Sequence, residues 1–407
     1  MKVITKFDYL SPEMENFEIV ERKGLGHPDT LADTIAEQVS VEYSKYCLEN
    51  FGYVLHHNVD KVCIMGGLSK VDWGYAEVLE PVRVLVNGRI SASFEGKEIP
   101  IEEIIRKAVH KTLSKALPKL DLEKNLIIIN ESTQYSRNPN WFYPRFKEDL
   151  PEYKDRVTND TSAVVGFWPK TLAETITLEI ETLFYNRDGS PKYDFIGQDI
   201  KIMVIRDKNV FNITMCIPFF AQHISSYKNY EIKKNFIYGI LNDYLKERLK
   251  GREFNLFINT QDQNVRDKTT VKKLYFVATG SSTDFGEEGC VGRGNNRTGF
   301  IPMKRGYSME AAWGKNPVYH VGKVYGLIVD EMAKLISEYF NCDTEVMVVT
   351  RNGDLFFDPH RILVSTSKPV DKRKLREILL DILSKRDWIE RLVYQEAIVP
   401  KVYLKIK

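Results

Sequence analysis

The chain has 407 residues, of which 43% are hydrophobic and 28% are charged, a composition typical of a globular protein with two or three domains. Its 58 basic and 56 acidic residues leave a formal charge of only +2. This near-balance argues against a general nucleic-acid-binding surface, which needs a clustered basic excess, but it leaves room for one basic pocket that binds a small anion.

The N-terminal stretch MKVITKFDYLSPEMENFEIVERKG is polar and charged, and it lacks the apolar core of a secretion signal. No run of 18 apolar residues occurs, so the sequence predicts no membrane-spanning helix. The five cysteines are far apart and form no CxxC pair, which argues against a zinc site and a disulfide framework. We therefore expect a reduced, soluble, cytoplasmic protein.

Hydrophobic periodicity in the first third of the chain predicts two helices and three strands. Apolar residues at 31, 35 and 39 predict a helix over 29–46, with Asp29 as its N-cap. The other predicted elements are strands at 62–68 and 78–86, a helix at 101–117 and a buried strand at 125–130.

The remaining two thirds repeat this alternation. The middle third predicts a helix at 172–184, a hairpin of strands at 199–205 and 210–217, and a second, longer helix. The apolar face of that longer helix is expected to consist of Ile232, Phe236, Ile240, Tyr244 and Leu245. The final third predicts a strand near 273–278, a helix at 318–340, a strand at 344–350 and a helix at 372–383.

Each third therefore holds several strands and one or two long helices, which suggests α+β layers with helices on one face of each sheet. The other sheet faces need a cover, either from each other or from a second subunit. Polar residues and turn formers gather near 131–160 and 250–262. From these junctions we expect three domains, at 1–140, 141–260 and 261–407, although segments can exchange between them.

The first stretch that suggests chemistry is GLGHPDTLAD, in which Gly24 and Gly26 precede His27, Asp29 and a predicted helix. Free N–H groups at a helix start attract anions, and a carboxylate such as Asp29 is a ligand for a hard cation such as Mg²⁺. The ordinary alternative makes Asp29 a helix cap and His27 a loop residue.

The second candidate is Lys201, which lies between Ile200 and Ile202 in a predicted strand and so points away from the apolar face. The ordinary interpretation is a solvated strand lysine. The alternative is a lysine that reaches a phosphate across the sheet, and the residue alone does not decide between them.

The third stretch is SSTDFGEEGCVGRGNNRTGF, at 281–300, which combines five glycines with charges of both signs. Gly292 and Gly294 allow backbone amides to approach a bulky anion, and Arg293 between them offers the forked donor geometry that binds phosphate. Glu287 and its neighbour Glu288 repel such an anion unless a cation intervenes. The stretch therefore suggests a polyphosphate held with Mg²⁺, and the alternative is an acidic surface loop.

Other nucleotide-binding and hydrolytic motifs are absent from the sequence. No GxxxxGK[ST] string occurs, and GRGNNRTG does not fit GxGxxG after a strand, so a P-loop ATPase and a Rossmann dehydrogenase lose support. No GxSxG or HExxH motif occurs either.

Five motifs occur in the order and spacing of archaeal-type S-adenosylmethionine synthetases, namely GLGHPDTLAD, NDTSAVVGF, GQDIKIM, GRGNNRTGFI and SMEAAWGKNPVYHVGKVY. The chain resembles this family from about residue 21 to about residue 339. The resemblance implies three similar α+β domains around a pseudo-threefold axis. It also implies a homodimer, or a higher oligomer, in which sheet faces pack together and active sites lie at the interface.

The resemblance further implies a reaction in which the methionine sulfur attacks the ribose 5′ carbon of ATP. Whole triphosphate leaves and is then hydrolysed to phosphate and diphosphate. Two Mg²⁺ ions per site are implied, and K⁺ is a further cation for which no residues are assigned. ATP and methionine are then the binding partners, with no nucleic acid and no membrane.

Matching the motifs position by position gives each site residue an implied role. His27 is placed beside the bridging oxygen of the leaving triphosphate, and Arg293 is implicated in triphosphate binding and hydrolysis. The implied catalytic residues are His27, Lys201, Arg293 and Lys315. The implied substrate- and ATP-binding residues are Asp160, Gly292, Gly294 and His320, and the implied metal ligands are Asp29 and Glu287.

Three segments depart from the family pattern. GEEG at 286–289 replaces the usual GDDG, TRNGDLFFDPHRI replaces the C-terminal SQIG-type run, and PKTLAET stands in place of a central PLS segment. These changes motivate two alternatives: an adenosyltransferase for a methionine analogue, and a catalytically weak homologue that binds nucleotide.

Overall fold

The computed structural model describes residues 2–138, 140–150, 156–186, 188–308 and 310–395. Within them the fold consists of three sheets of four or five strands, three strand pairs, and helices that pack on the sheets. The helices are α1 (Pro28–Phe51), α2 (Ile101–Ala116), α3 (Leu172–Phe184), α4 (Tyr227–Leu249), α5 (Val321–Phe340), α6 (Lys372–Ser384) and the short α7 (Trp388–Glu390), followed by a π-helical turn at Arg391–Gln395.

Sheet 1 carries helix α1 on one face, and α2 packs against α1. Its strands, in spatial order, are β10 (Leu126–Thr133), β7 (Val82–Ile90), β4 (Cys63–Met65) and β17 (Gly289–Cys290), with β3 (His57–Asn58) also paired to β7. Val84 and Val86 of β7 are fully buried while the alternating Arg83 and Asn87 are exposed, so this sheet keeps one open face.

Sheet 2 is covered on one face by α3 and α4. Its strands, in spatial order, are β15 (Phe254–Ile258), β13 (Val210–Cys216), β12 (Lys201–Asp207), β2 (Phe17–Lys23) and β18 (Ile301–Pro302). The antiparallel β12–β13 hairpin confirms the sequence prediction. Ile202 and Val204 are fully buried in the core, whereas Lys201 lies on the opposite face at the beginning of β12.

Sheet 3 packs under α5, and α6 packs on α5. Its strands, in spatial order, are β1 (Lys2–Lys6), β20 (Arg361–Thr366), β19 (Thr344–Val349) and β11 (Ala163–Trp168). The helix approaches this sheet closely at Gly166, where a Cβ would lie 2.6 Å from the Val329 carbonyl carbon. The three strand pairs are β5 (Leu68–Asp72) with β6 (Tyr75–Glu80), β8 (Ser93–Phe94) with β9 (Lys97–Glu98), and β14 (Phe219–Phe220) with β16 (Phe276–Val277).

Several sequence predictions of elements are confirmed, whereas the predicted strands at 62–68 and 273–278 shorten to Cys63–Met65 and Phe276–Val277, and three further predictions are wrong. The predicted strand 78–86 is two strands, because Pro81 lacks the N–H that a continuous ladder requires. The predicted buried strand 125–130 is the edge strand of sheet 1, with Ile127 46% exposed. In α4 the buried residues are Tyr230, Ile237, Leu241, Leu245 and Leu249, whereas Ile232 and Phe236 are exposed.

The mixture of helices and sheets predicted from the sequence is confirmed, while the pseudo-threefold axis and the dimer stay predictions. Sheet 3 joins residues 2–6 to residues 344–366, so its strands come from distant parts of the chain. The domain bounds stay a prediction, and residues 139, 151–155 and 396–407, which fall in the expected junction and third domain, lie outside the described residues. In the described part of the chain, no helix combines the length and apolar character needed to cross a membrane.

Candidate active site

The N-terminus of α1 is built from the GLGHPD motif. Gly26 is required by close packing, because a Cβ there would lie 2.6 Å from the Gln198 carbonyl carbon. His27, not Asp29, is the N-cap: its Nδ1 accepts a hydrogen bond from the Asp29 N–H at 3.2 Å. The prediction of Asp29 as the cap is therefore wrong, and the imidazole leaves the Asp29 carboxylate to other partners.

His27 lines a cleft of about 380 Å³ together with Lys201, Glu287 and the buried Asp199. Burial, followed by the nearby Lys23 charge, lowers the pKa of His27 to about 4, although Asp29 acts in the opposite direction. The ring is therefore neutral near pH 7. Because Nδ1 accepts the Asp29 N–H, the neutral tautomer carries its proton on Nε2.

Asp29, two residues after His27, is held by Lys23, the last residue of β2. The Lys23 Nζ lies 2.8 Å from the Asp29 Oδ2 and 2.7 Å from the Arg293 carbonyl oxygen. The Asp29 Oδ1 accepts the Cys290 N–H at 3.1 Å. One lysine and one carboxylate thus connect β2, α1 and the glycine-rich loop.

Lys201 faces Lys23 directly across the β12–β2 pair. Its Nζ lies 3.1 Å from the Glu21 Oε1, and its side chain is 43% exposed. Asp199, two residues earlier, is fully buried and accepts hydrogen bonds from the Ser282 N–H at 2.9 Å and hydroxyl at 2.7 Å. Burial raises the pKa of Asp199 to about 6. Asp199 was not predicted as a site residue, although its place at the start of the predicted strand 199–205, which carries Lys201, was a usable signal.

The glycine-rich loop directs its backbone amides to carboxylates of α1. The Gly292 N–H donates to the Asp33 Oδ1 at 2.7 Å, as the Cys290 N–H does to Asp29. Gly294 also allows the loop to pack closely on α1, since a Cβ there would lie 2.1 Å from the Asp33 Oδ2. Gly292 and Gly294 therefore allow the loop to pack on α1, and their role in ATP binding stays a prediction.

Asp33 is the other residue that the sequence argument missed. It lies one helical turn after Asp29 on the same face of α1, and this spacing of four residues was the available signal. Burial raises the pKa of Asp33 well above its usual range. Its carboxyl group holds the loop in place from inside the protein, while Arg293 between the two glycines remains exposed.

Lys315, His320 and Asp160 form a second group, away from the His27 cleft. The Lys315 Nζ lies 2.8 Å from the Glu310 Oε2. His320 is the N-cap residue of α5, and its Nε2 lies 3.2 Å from the Asn159 Nδ2, beside Asp160. Burial, with the Lys315 charge as the next cause, lowers the pKa of His320 well below its usual range.

Helix α1 sets the separation of the two groups. The Ser40 hydroxyl donates to the Lys315 carbonyl oxygen at 3.0 Å, and Ser40 lies about 20 Å from His27 along the helix at a rise of about 1.5 Å per residue. The single chain therefore brings His27, Asp29, Lys201, Glu287 and the Arg293 loop together. Lys315, His320 and Asp160 do not line the His27 cleft, although Glu310, which pairs with Lys315, lines another pocket together with Gly292 and Gly294.

A buried ionic network fixes the Lys315 segment. The Lys323 Nζ lies 2.9 Å from the Glu37 Oε2 and 3.1 Å from the Ser40 Oγ. The same Glu37 oxygen accepts the Gly314 N–H at 3.1 Å. The backbone on either side of the Gly314–Lys315 peptide is thus attached to α1.

The oxygen donors near His27 suit Mg²⁺, even though no group of three or more potential ligands occurs among the described residues. Mg²⁺ is commonly held by one or two carboxylates, with phosphate oxygens and waters completing its shell. Asp29 and Glu287 are carboxylates beside His27 and supply such a partial set.

The comparisons with known proteins agree with each other. The family model described as S-adenosylmethionine synthetase (AdoMet synthetase) matches residues 2–386. The S-adenosylmethionine synthase of Aeropyrum pernix is 34% identical over 385 residues, covering 92% of this chain and 88% of that protein. An uncharacterized protein of Streptococcus pyogenes serotype M1 is 37% identical over 382 residues, covering 91% of each.

A solved structure supports the same fold. The structure of an unusual S-adenosylmethionine synthetase from Campylobacter jejuni has a TM-score of 0.61 and 14% sequence identity. It covers 96% of this chain and 94% of its own. At this identity the likeness shows the fold alone, whereas the family model and the sequence relatives establish membership. The chain belongs to the S-adenosylmethionine synthetase family.

Proposed function

We propose that this protein synthesises S-adenosylmethionine from ATP and methionine, and hydrolyses the released triphosphate to phosphate and diphosphate. The observation that carries the proposal is the cleft at the start of α1, where His27, Lys201 and Glu287 meet in a member of this family. ATP and methionine are the proposed substrates.

The chemistry of the first step suits such a cleft. A thioether sulfur has no proton to lose, so attack on the ribose 5′ carbon needs no general base. It needs alignment of sulfur, carbon and leaving oxygen, together with stabilisation of a highly charged leaving group. A site rich in fixed cations and hydrogen-bond donors meets that requirement.

In this proposal His27 donates its Nε2 proton in a hydrogen bond to the bridging oxygen of the leaving triphosphate. The tautomer follows from the bond between Nδ1 and the Asp29 N–H. A bound polyphosphate would raise the pKa of His27 from about 4, because opposite charge stabilises the imidazolium. His27 then stabilises negative charge as it develops on the leaving oxygen.

Lys201 and Arg293 are proposed to bind the triphosphate itself. Lys201 is half-exposed on the open side of sheet 2, so its ammonium group is accessible to an anion despite the contact with Glu21. Arg293 is exposed, and the contact of its carbonyl oxygen with Lys23 fixes the backbone from which the guanidinium extends. A planar guanidinium binds two phosphate oxygens at once.

Asp29 and Glu287 would hold Mg²⁺, with two ions per site in this proposal. When bound, Mg²⁺ neutralises phosphate charge and fixes the orientation of the phosphate oxygens. Glutamate at 287 is one methylene longer than the aspartate usual in the family, and its carboxylate remains a hard oxygen ligand. K⁺ is retained as a further proposed cation without assigned residues.

A homodimer is proposed to complete each site. The Lys315 carbonyl oxygen is bonded to Ser40, about 20 Å from His27 along α1, and none of Lys315, His320 and Asp160 lines the His27 cleft, so in this proposal they serve the site of a second subunit. The open face of sheet 1 offers a contact surface, because its edge strand exposes Ile127. Each active site would then combine the His27 group of one subunit with the Lys315 group of the other.

The direct test is incubation of the purified protein with ATP, methionine and MgCl₂, followed by mass spectrometry for S-adenosylmethionine. We expect S-adenosylmethionine, phosphate and diphosphate in equal amounts. Selenomethionine and ethionine, assayed in parallel by kcat/KM, show whether methionine is the preferred thioether. Binding of ATP in calorimetry without any adenosylated product would reject the proposal.

A further inference from the structure

Lys273 lines the same cleft as His27, Lys201 and Glu287, although its sequence surroundings contain no recognisable motif. It lies in the segment between the 3₁₀ turn at Thr260–Asn264 and β16. Thr260, Gln261, Lys273 and Tyr275 of this region line the cleft. None of them has a role in the proposed reaction.

The backbone of Lys273 has an unusual conformation for a lysine. Its φ is 68°, in the left-handed region that L-residues adopt only at a conformational cost. The Leu274 N–H donates to the Val271 carbonyl oxygen at 3.1 Å, so Lys273 is the third residue of a β-turn in which glycine is favoured. Strained positions of this kind are concentrated at functional sites, which directs attention to the side chain.

The ammonium group of Lys273 also forms no ion pair with a described carboxylate, unlike those of Lys23 and Lys201. Lys23 pairs with Asp29 at 2.8 Å, and Lys201 pairs with Glu21 at 3.1 Å. The Lys273 Nζ contacts the Asn264 carbonyl oxygen at 3.2 Å, and within the described ranges no carboxylate forms an ion pair with it. A cation that lines a cleft without a carboxylate partner is available to an anionic ligand.

We propose that Lys273 binds the phosphates of the nucleoside triphosphate in this cleft, an inference that rests on the proposed function. The side chain is long and exposed, and no described carboxylate pairs with it, so it contributes to the affinity for the polyphosphate and not to the alignment of the reacting atoms. Its removal therefore raises the Kd for polyphosphate and the KM for ATP, and leaves kcat nearly unchanged.

The test is calorimetric titration of the full-length protein with inorganic triphosphate and MgCl₂. Lys273→Ala is expected to weaken binding about tenfold, or about 1.4 kcal/mol. Lys272→Ala is the matched control, because Lys272 is an exposed neighbour outside the cleft lining, and it should bind as the wild type does. The KM for ATP should likewise rise in Lys273→Ala and stay at the wild-type value in Lys272→Ala.

Two further variants separate charge from backbone strain. Lys273→Gly removes both, so it should melt at a higher temperature than Lys273→Ala and bind triphosphate equally weakly. Lys273→Arg should retain most of the affinity. Equal triphosphate affinity in Lys273→Ala and Lys272→Ala would overturn the inference even if the wild type makes S-adenosylmethionine. Weaker triphosphate binding in Lys273→Ala but not in Lys272→Ala supports the inference. If the wild type makes no S-adenosylmethionine, that result rejects only the proposed function.

Discussion

The carboxylate of Asp33 accepts the backbone N–H of Gly292 at 2.7 Å, so helix α1 directly holds the loop that carries Arg293. Asp29, one turn earlier, does the same for Cys290 at 3.1 Å. Two carboxylates four residues apart on one helix face therefore set the path of the loop. The position of Arg293 depends on α1 through these two bonds.

Removing the Asp33 carboxylate should release this loop. We expect trypsin to cleave Asp33→Ala after Arg293 about tenfold faster than the wild type, because the lost hydrogen bond to the Gly292 N–H contributes up to about 1.5 kcal/mol to the stability of the loop. Peptide mapping during limited proteolysis measures this rate. Cleavage after Lys208, in the exposed β12–β13 turn, is the internal control and should be unchanged. Equal cleavage after Arg293 in both proteins would contradict the role given to Asp33.

The proposed phosphate contacts predict large kinetic effects without loss of folding. Lys201→Ala and Arg293→Ala should each lower kcat/KM at least about 100-fold, because each removes a cation that faces the leaving group. Both side chains are partly or fully exposed, so the melting curve by circular dichroism should stay near that of the wild type. Turnover at the wild-type rate in both variants would place the phosphate site elsewhere.

The GEEG segment offers a matched pair for the metal proposal. Both glutamates are exposed, but Glu287 lines the cleft beside His27 and its neighbour Glu288 lies outside the lining. Glu287→Gln should raise the Mg²⁺ concentration for half-maximal activity roughly tenfold, since an amide is a weaker ligand than a carboxylate for a hard cation. Glu288→Gln should leave the Mg²⁺ titration unchanged, and an equal shift in both would argue against ligation by Glu287.

The sequence predicted the elements that depend on local pattern, and it was weaker where tertiary packing decides. Helix α3 matches its predicted range because its apolar residues and its Thr171–Glu174 capping box agree. The exposed face of α4 could not be predicted, because Ile232 and Phe236 are as apolar as the residues that are buried. Burial there depends on the placement of sheet 2, which periodicity does not encode.

For the site, motif position identified His27, Lys201 and Glu287, which the structure brings to one cleft. It did not reveal that the amides of the glycine-rich loop bind Asp29 and Asp33, because these contacts join residues about 260 positions apart. It also gave no indication that the Lys315 carbonyl oxygen accepts a hydrogen bond from Ser40, several turns of α1 after His27.

Buried His57 should make stability depend on pH. Burial, with the Lys323 charge as the next cause, lowers the pKa of His57 to about 3, while an unfolded histidine titrates near 6.5. Between about pH 6.5 and pH 3 the unfolded state binds a proton that the folded state excludes. This residue therefore lowers the unfolding free energy by about 1.4 kcal/mol per pH unit as the pH falls through that window.

Other groups titrate in the same pH range. The measurement therefore compares how steeply the unfolding free energy falls with pH in the two proteins, and not its value at one pH. Urea unfolding between pH 7 and pH 5 should show a shallower decline for His57→Gln than for the wild type, even though the variant loses the 2.7 Å contact with Ser40 and is less stable at pH 7. Parallel declines in the two proteins would mean that His57 titrates normally in the folded state.

The ion pair between Lys323 and Glu37 is the strongest test of the buried network, since each side chain is only 1% exposed and the two atoms are 2.9 Å apart. Lys323→Met leaves a buried carboxylate without its cation, and we expect a loss of about 3–5 kcal/mol in the free energy of urea unfolding. The exposed pair Lys334–Glu338 supplies the matched control, where Lys334→Met should cost less than about 1 kcal/mol. Adding Glu37→Gln to Lys323→Met should restore part of the loss, because the uncompensated charge disappears. If Lys323→Met costs no more than Lys334→Met, the network does not stabilise the Lys315 segment.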